Sequence, residues 1–197
     1  MNRNIIQTTK NKIIQTSKKL FAENSYIAVS MNDIAKKLKL TKASLYYHFT
    51  GKSELYKETL NQAYQDFRKS LKPVEKETNN SKKLYLLTAK YIAFISKEKT
   101  LITAMYSKSK TDESLDYYII DLKKKINKTI EKSIINIFHN NEKVEPQFLA
   151  TLLISMMDGI VFEYSLLNKK IDANEISKKI SKNKKFRLFL KIKKSSF

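Results

Sequence analysis

The sequence has no cysteine and no tryptophan, and it has only two glycines, two prolines and two histidines among 197 residues. Without cysteine, disulfides and thiolate metal sites are excluded, and His48 and His139 are the sole imidazoles. Few glycines and prolines leave few positions for tight turns or helix breaks, while Lys, Leu, Ile and Ala favour helices. We therefore predict an all-α fold, and β-rich and glycine-rich nucleotide-binding folds are disfavoured.

Long apolar runs are also scarce. Residues 1–15 contain no apolar segment of the kind found in signal peptides, and the most apolar stretch, 148–162, contains Asp158. That stretch is shorter than the roughly 20 residues that span a bilayer as a helix. We expect no signal peptide, no transmembrane span and no membrane partner. A cytoplasmic location also agrees with the lack of cysteine.

The charge is strongly unbalanced, with a formal value of +20, and it is concentrated at the two ends of the chain. Residues 1–72 carry 14 basic and 5 acidic side chains, residues 73–168 carry 14 and 12, and residues 169–197 carry 11 and 2. Basic side chains at phosphates release condensed counterions, which favours a polyanionic partner. Lysine supplies 36 of the 39 basic residues, a bias that AT-rich coding also produces. The charge by itself therefore does not decide the function.

Apolar residues recur at helical spacing along most of the chain. The pattern is clearest in residues 113–139. Apolar residues there follow one another at intervals of three or four: Leu115, Ile119, Leu122, Ile126, Ile130, Ile134 and Ile137. About nine helices are predicted: 4–24, 31–38, a short helix after Thr41, 52–71, 82–97, 100–107, 113–139, 146–168 and 174–193. We place a smaller N-terminal domain with its connecting helix at 1–72 and a larger helical domain at 73–197.

Two short helices near the N-terminus are predicted from their caps. Ser30 with Asp33 is an N-cap pattern, and Thr41 is positioned to cap the next helix. Only residues 39–41 separate the two, and Leu45 and Phe49 lie four residues apart, as expected for core positions. Two short helices joined by such a turn form the helix-turn-helix layout, which inserts its second helix into the DNA major groove.

Read as a whole, the segments Ser30-Met-Asn-Asp-Ile-Ala-Lys-Lys-Leu38, Thr41-Lys-Ala-Ser-Leu-Tyr-Tyr-His-Phe49 and Lys52-Ser-Glu-Leu55 resemble the signature of the tetracycline-repressor (TetR/AcrR) family. The resemblance covers about residues 5–65. It implies a homodimeric repressor that is not an enzyme, with an N-terminal helix-turn-helix domain of three helices and a larger dimerisation and ligand domain. The expected partners are a palindromic double-stranded DNA operator and a small-molecule inducer of unknown identity that releases it.

Two positions depart from the family pattern. Ser25 and Lys39 stand where the family usually has glycine, near the end of the first helix and in the recognition turn. A side chain in a left-handed conformation costs roughly 1–2 kcal/mol. If Ser25 and Lys39 keep that conformation, each strains the domain. Alternatively, Asn24 takes the capping position at the end of the first helix.

DNA contacts are predicted for nine residues. From its position, Lys42 donates to guanine O6 or N7, and Ala43 is small enough to approach a thymine methyl. The resemblance adds Tyr46 at bases. The alternative for Tyr46 and its neighbours is an ordinary amphipathic surface. By the resemblance, and because hydroxyls, charges and free N–H groups suit an anion, the phosphate contacts are Ser30, Thr41, Ser44, Tyr47, His48 and Lys52.

In the larger domain, aromatic and methionine side chains are candidates for a ligand pocket, with core packing as the alternative. Gly159 lies in a strongly apolar helix and would allow close approach of a second helix, as in the dimer of the resembled family, or it is a simple packing glycine. The predicted dimer contacts are Met156, Gly159 and Ile160. The pocket candidates are Tyr85, Tyr91, Phe94, Met105, Tyr106, Tyr117, Tyr118 and Phe162.

Signatures of catalysis are absent from the sequence. There is no nucleophile motif, no histidine pair at metal-ligand spacing and no phosphate-binding loop. We therefore expect no catalytic residue, no metal and no cofactor. The alternative function is a nonspecific nucleic-acid or anionic-membrane-surface binder that uses the basic tail at 169–194.

Overall fold

The computed structural model describes residues 3–98, 113–138 and 145–183. All regular secondary structure in these ranges is helical, which confirms the predicted all-α fold. The nine helices of the described ranges are α1 (Arg3–Ala28), α2 (Met31–Leu38), α3 (Lys42–His48), α4 (Lys52–Ser70), α5 (Lys72–Lys76), α6 (Asn80–Lys97), α7 (Glu113–Phe138), α8 (Pro146–Leu166) and α9 (Ala173–Lys182).

The helices agree closely with those predicted, with one addition. The short helix α5 follows α4 after a single residue and was not predicted, because residues 72–81 are polar and non-periodic. Pro73 lies in its first turn, where the missing N–H has no helical partner to lose and the fixed φ suits the helix. The predicted helix at 100–107, and the predicted extension of α9 beyond residue 183, lie outside the described residues.

Left-handed backbone occurs at both positions where the resembled family usually has glycine. Ser25 has φ 65° and ψ 163° and interrupts α1 with a kink. Lys39 has φ 54° and ψ 39° at the C-terminus of α2, and its N–H donates to the carbonyls of Ala35 and Lys36. The alternative cap at Asn24 is wrong, since its side-chain amide donates to the Leu20 carbonyl and the left-handed residue is Ser25.

The described residues form two compact units, one within Met1–Tyr64 and Glu98–Leu122 (unit 1) and the other within Gln65–Lys97 and Lys123–Phe197 (unit 2). The predicted domain boundary at 72/73 stays a prediction. In unit 1, α2 packs against α1 and α3. The aromatic rings at its centre meet edge to face, with 4.9 Å between the centroids of Phe21 and Tyr56. Burial of Tyr56 raises the pKa of its phenol.

Unit 1 also holds the residues around the start of α7. Lys18 of α1 forms an ion pair with the buried Glu98, with 2.8 Å between Nζ and Oε1. The Tyr118 hydroxyl donates to the carbonyl of Lys57 at 3.1 Å, and the Lys57 ammonium donates to the Ser114 hydroxyl at 2.9 Å. Burial raises the pKa of Tyr118, and the nearby carboxylates of Glu58 and Asp121 raise it further. These contacts fix residues 98 and 113–122 to α1 and α4.

Unit 2 is built around α6, which packs against α5, α8 and α9. Its core contains the fully buried Leu87, Ile92 and Met157. The rings of Phe67 and Phe94 stack with 4.4 Å between centroids. The apolar stripe predicted for α7 is confirmed, because all seven of its residues are buried.

Helix α8 has a mixed environment. It is the one helix of the described ranges that is long and apolar enough to cross a bilayer, a test that core helices of soluble proteins also pass. Leu149, Leu153 and Met157 are buried on one face. The opposite face leaves large apolar side chains exposed, from Phe148 at 62% to Leu166 at 70%. An apolar stripe of this kind needs a further partner.

Candidate DNA-binding site

The start of α2 is fixed by a capping box. The Ser30 hydroxyl accepts from the Asp33 N–H at 3.2 Å, and the Asp33 carboxylate accepts from the Ser30 N–H at 2.9 Å and from its hydroxyl at 2.6 Å. The hydrogen bond from the Ser30 hydroxyl is the main cause that lowers the pKa of Asp33, followed by that from its N–H. The predicted cap is therefore confirmed, and it makes α2 begin at a defined residue.

The turn that leads to α3 is short and closed by hydrogen bonds. Lys39 ends α2, and the Leu40 N–H donates to the Ala35 carbonyl at 3.0 Å. Thr41 then caps α3, because its hydroxyl accepts from the Ser44 N–H at 3.1 Å. Two capped helices joined by three residues make a rigid pair, whose second helix has a fixed orientation relative to the first.

The two faces of α3 differ completely in burial. Leu45 and Phe49 are buried in unit 1, which confirms their assignment to the core. The opposite face is open to solvent: Tyr46 is 42% and Tyr47 67% exposed, and Lys42 is exposed as well. A tyrosine ring combines an apolar face with a polar hydroxyl and is enriched at interfaces, so two adjacent exposed tyrosines suit a surface that binds a partner.

The predicted contact residues lie along this exposed side of the helix pair. Ser30, Thr41 and Ala43 are exposed, whereas Ser44 and His48 are half-buried. The Lys42 ammonium lies 5.9 Å from the Tyr46 ring centroid. The rings of Tyr47 and His48 meet edge to face at 5.2 Å. Donors, a cation and aromatic rings are thus combined on one surface.

Lys52 has a second role that sequence reasoning missed. Its ammonium donates to the carbonyls of Tyr26 at 3.0 Å and Ile27 at 3.5 Å, and it lies 4.4 Å from the Tyr26 ring centroid. The cation therefore satisfies carbonyls at the C-terminal end of α1, where the helix dipole is negative. The partner carbonyls are 25 and 26 residues away in sequence, so local patterns carry no signal for the contact.

The turn between α3 and α4 is also fixed by a carboxylate that was not singled out from the sequence. Glu54 accepts from the Thr50 N–H at 2.6 Å and from its hydroxyl at 2.7 Å. The hydroxyl contact is the main cause that lowers the pKa of Glu54. Because Thr50 directly follows the buried Phe49, this contact holds the end of α3 against α4.

The predicted pocket residues are divided between the two units. Tyr117 and Tyr118 belong to unit 1, while Tyr85, Tyr91, Phe94 and Phe162 belong to unit 2. Tyr91 is fully buried and Phe94 nearly so, but Tyr117 and Phe162 are exposed. Met105 and Tyr106 lie outside the described residues.

The predicted dimer residues lie at the open side of α8. Gly159 is exposed, and Met156 and Ile160 on either side of it are half-buried. A Cβ atom built on Gly159 meets no atom of the described residues within 4 Å. Within 3–98, 113–138 and 145–183, the space beside this glycine is therefore open. The exposed apolar residues of α8 occur before and after it, so the glycine is near the middle of the stripe.

The geometry of unit 1 agrees with comparisons to known proteins. Residues 13–59 match the sequence profile of the bacterial regulatory proteins of the tetR family. Over 181 residues, the chain is 27% identical to the biofilm operon icaADBC HTH-type negative transcriptional regulator IcaR of Staphylococcus aureus, covering 91% of this chain and 96% of IcaR.

Two solved structures have the same fold. One is AibR in complex with isovaleryl coenzyme A and operator DNA, with a TM-score of 0.67 and 20% identity over 87% of this chain and 95% of that one. The other is a transcriptional regulator from Saccharomonospora viridis in complex with choline, with a TM-score of 0.75 and 18% identity over 90% and 97% of the two chains.

The helix-turn-helix geometry, the profile match and the relative aligned over nearly its full length all point to one conclusion. Regulators of this kind act by binding DNA and are not enzymes. Residues 13–59 match the DNA-binding domain of the tetR family of bacterial regulatory proteins, and the chain is a DNA-binding transcriptional regulator.

Proposed function

We propose that the protein is a homodimeric repressor that binds a short palindromic operator through the exposed face of α3 and leaves it when a small molecule binds to the larger domain. The observation that carries the proposal is the split of α3 into a buried face, Leu45 and Phe49, and an exposed face with Lys42, Tyr46 and Tyr47. The buried face anchors the helix, so the exposed face can enter the major groove without disturbing the core.

Each exposed residue has a chemistry suited to one part of the duplex. Lys42, at the N-terminus of α3, reaches guanine O6 and N7, and Ala43 fits beside a thymine methyl. Tyr46 lies one turn after Lys42 and reads bases as well. These three residues determine sequence preference, because base edges differ in the major groove.

Phosphate contacts come from residues around the same face. The N-terminus of α3 supplies the Thr41 hydroxyl, which Ser44, Tyr47 and His48 flank. The Ser30 hydroxyl joins them by turning its O–H from the Asp33 carboxylate to a phosphate. Lys52 contributes charge while its ammonium also bonds α1 carbonyls. Such contacts fix the register of the protein on the duplex and add affinity that depends on salt.

A dimer is required because one short helix covers too few base pairs. In a two-fold dimer, two recognition helices reach successive major-groove faces about 34–36 Å apart. We propose that the exposed apolar stripe of α8 pairs with its copy in a second subunit, with Gly159 at the closest approach and Met156 and Ile160 beside it. The open space above Gly159 supports this assignment.

Repression and release by an inducer are proposed from the relatives. IcaR is a negative regulator, and the two solved neighbours bind a coenzyme A thioester and choline. The fold thus accommodates chemically different small molecules. We assign the inducer site to the larger domain, 73–197, and the operator site to 1–72. A protein with these partners works in the cytoplasm.

The proposal is tested by selecting bound sequences from random duplexes and measuring affinities by fluorescence anisotropy. We expect a palindrome to be enriched. Lys42→Ala and Tyr46→Ala should each weaken binding to it by about 1–3 kcal/mol while leaving nonspecific DNA affinity nearly unchanged. Lys19→Ala removes the same charge from the exposed side of α1 and serves as the control.

Two results would contradict the proposal. The first is the absence of any enriched palindrome. The second is an equal loss for Lys42→Ala or Tyr46→Ala on the palindrome and on unrelated DNA, which would favour nonspecific nucleic-acid binding. A Tyr47→Ala variant should, by contrast, lose affinity on both DNAs, since a phosphate contact is independent of sequence.

A further inference from the structure

Unit 2 contains a polar cluster formed by Tyr91 of α6, Lys123 of α7 and Asp158 of α8. The Tyr91 hydroxyl donates to Asp158 Oδ1 at 2.5 Å, and the Lys123 ammonium donates to Asp158 Oδ2 at 2.6 Å and to the Tyr91 hydroxyl at 3.3 Å. Tyr91 is fully buried, and the side chains of Lys123 and Asp158 are 26% and 18% exposed. Three helices thus converge on one partly buried ion pair.

The side chains of Asp158 and Lys123 differ in how freely they can move. Asp158 has a short side chain and accepts a hydrogen bond from a buried tyrosine. Lys123 carries its charge on a flexible four-carbon stem and is the more exposed of the two. The ammonium can reach water by rotating away, whereas the carboxylate would remain where it is. A ligand that competes for the carboxylate would therefore displace the lysine, and the group that takes its place would have to be a cation.

The surroundings of the carboxylate favour an organic cation with N–H donors. The Tyr91 ring lies 6.0 Å from Phe67, which stacks on Phe94, so apolar and aromatic surface adjoins the charge. One turn after Lys123 on the same helix, the side-chain oxygen of Asn127 is buried and has no hydrogen-bond partner among the residues that the structure describes. An unpaired buried acceptor is stabilised by a donor, which an ammonium supplies.

We propose that this cluster is a recognition site for a primary aliphatic ammonium compound. Its ammonium replaces that of Lys123 beside Asp158, and its alkyl chain occupies the space that the lysine methylenes leave. The Asn127 oxygen accepts one of its N–H bonds. This inference rests on the proposed function, since it identifies the chemical class of the inducer.

The first experiment measures binding to the full-length protein without DNA, by titration calorimetry, with n-hexylammonium as the probe. We expect saturable binding of one molecule per chain. Neutral 1-hexanol has nearly the same shape and should bind at least about tenfold more weakly, because it cannot pair with the carboxylate. Hexyltrimethylammonium keeps the charge but has no N–H donor, and it should also bind about tenfold more weakly.

Two variants change the two partners in opposite directions. Asp158→Asn keeps an acceptor for Tyr91 but removes the charge, and it should weaken hexylammonium binding by at least about tenfold. Lys123→Met removes the competing ammonium. It should tighten binding by about tenfold, because the lysine no longer has to leave the site before the ligand binds. Glu175→Gln removes an exposed carboxylate that is also paired with a lysine at 2.6 Å, and it should change nothing.

A purely structural ion pair would give a different result. Hexylammonium would then not bind, or it would bind wild type, Asp158→Asn and Lys123→Met equally, and either outcome overturns the inference. Equal affinity for hexyltrimethylammonium overturns the primary-ammonium assignment. If Asp158→Asn does not fold, the tightening in Lys123→Met still decides the question.

Operator binding measured without any amine separates this inference from the proposed function. If the operator is bound but hexylammonium neither binds nor releases it, the inference fails and the proposed function stands. If hexylammonium binds with the expected variant pattern but no operator is selected, the recognition site stands and the proposed repressor function fails.

Discussion

The positive φ angles of Ser25 and Lys39 predict how glycine substitutions there change the free energy of unfolding. Both carry a side chain in a conformation that suits glycine, with φ 65° and 54°. Replacing each by glycine removes the clash between Cβ and backbone without disturbing the core, since both residues are exposed. We therefore expect Ser25→Gly and Lys39→Gly to raise the free energy of unfolding.

The magnitude follows from two opposing effects. At Lys39, relief of the left-handed conformation contributes about 1–2 kcal/mol. The added freedom of glycine in the unfolded chain offsets about 0.4–1 kcal/mol of that gain. The net stabilisation is about 0.8 kcal/mol. At Ser25 the ψ of 163° places the residue in a region that is nearly restricted to glycine, where strain costs about 1–3 kcal/mol, so its net gain is about 1.3 kcal/mol.

The assay is urea unfolding followed by circular dichroism for wild type, both single variants and the double variant. Ser25 lies within α1 and Lys39 at the end of α2, so the gains should add to about 2 kcal/mol. Asn168→Gly is the matched control. Asn168 also has positive φ, at 50°, but asparagine tolerates this conformation, so the change should stay within about 0.5 kcal/mol.

If both single variants show no change in the free energy of unfolding, or a decrease, the strain assigned to Ser25 and Lys39 is contradicted. A gain in Asn168→Gly equal to that of Lys39→Gly would also count against it, because the expected difference comes from the tolerance of asparagine for positive φ.

Four further predictions concern the core, the dimer and the charges. Phe49→Ala should destabilise unit 1 by about 3–5 kcal/mol, measured by urea unfolding, because the ring is fully buried; a loss below about 1 kcal/mol would exclude it from the core. Gly159→Leu should leave the helix content intact but convert dimer to monomer in sedimentation velocity, whereas Ala93→Leu on the exposed side of α6 should not; a dimeric Gly159→Leu variant would exclude α8 as the interface. Lys52→Gln should reduce the slope of log affinity against log salt by about 0.9, and an unchanged slope would remove Lys52 from the phosphate contacts. The pKa of Asp33 is lower in the folded protein, so its ionised carboxylate stabilises the fold at pH above the unfolded pKa, and this stability is lost as pH falls through the folded pKa. Below about pH 4, the free energy of unfolding should therefore fall less steeply with pH in Asp33→Asn than in wild type, and equal slopes would contradict this.

Local features of the fold were predictable from the sequence. The caps at Ser30 and Thr41 are local, because each hydroxyl accepts from an N–H group only three residues later in the chain. The buried stripe of α7 follows from helical periodicity alone. The short helix α5 was missed because tertiary contacts, such as burial of Val74, stabilise it rather than its own pattern.

Contacts between distant residues were not predictable in the same way. The bond from Lys52 to the Tyr26 carbonyl joins residues 26 apart, and the bond from Tyr91 to Asp158 joins residues 67 apart. The predicted pocket was assembled from residue type, which carries no information on spatial neighbours. It therefore includes both Tyr117, an exposed residue of unit 1, and Tyr91, a buried residue of unit 2, and it stays a prediction.

We expect the exposed face of α3 to lie in the major groove of the operator. Methylation interference tests it directly, because dimethyl sulfate modifies guanine N7 in the major groove and adenine N3 in the minor groove. Guanine methylation in both half-sites should block binding of the wild type, and Lys42→Ala should lose this sensitivity at one guanine in each half-site. Interference by adenine N3 methylation alone, or sensitivity unchanged in Lys42→Ala, would contradict it.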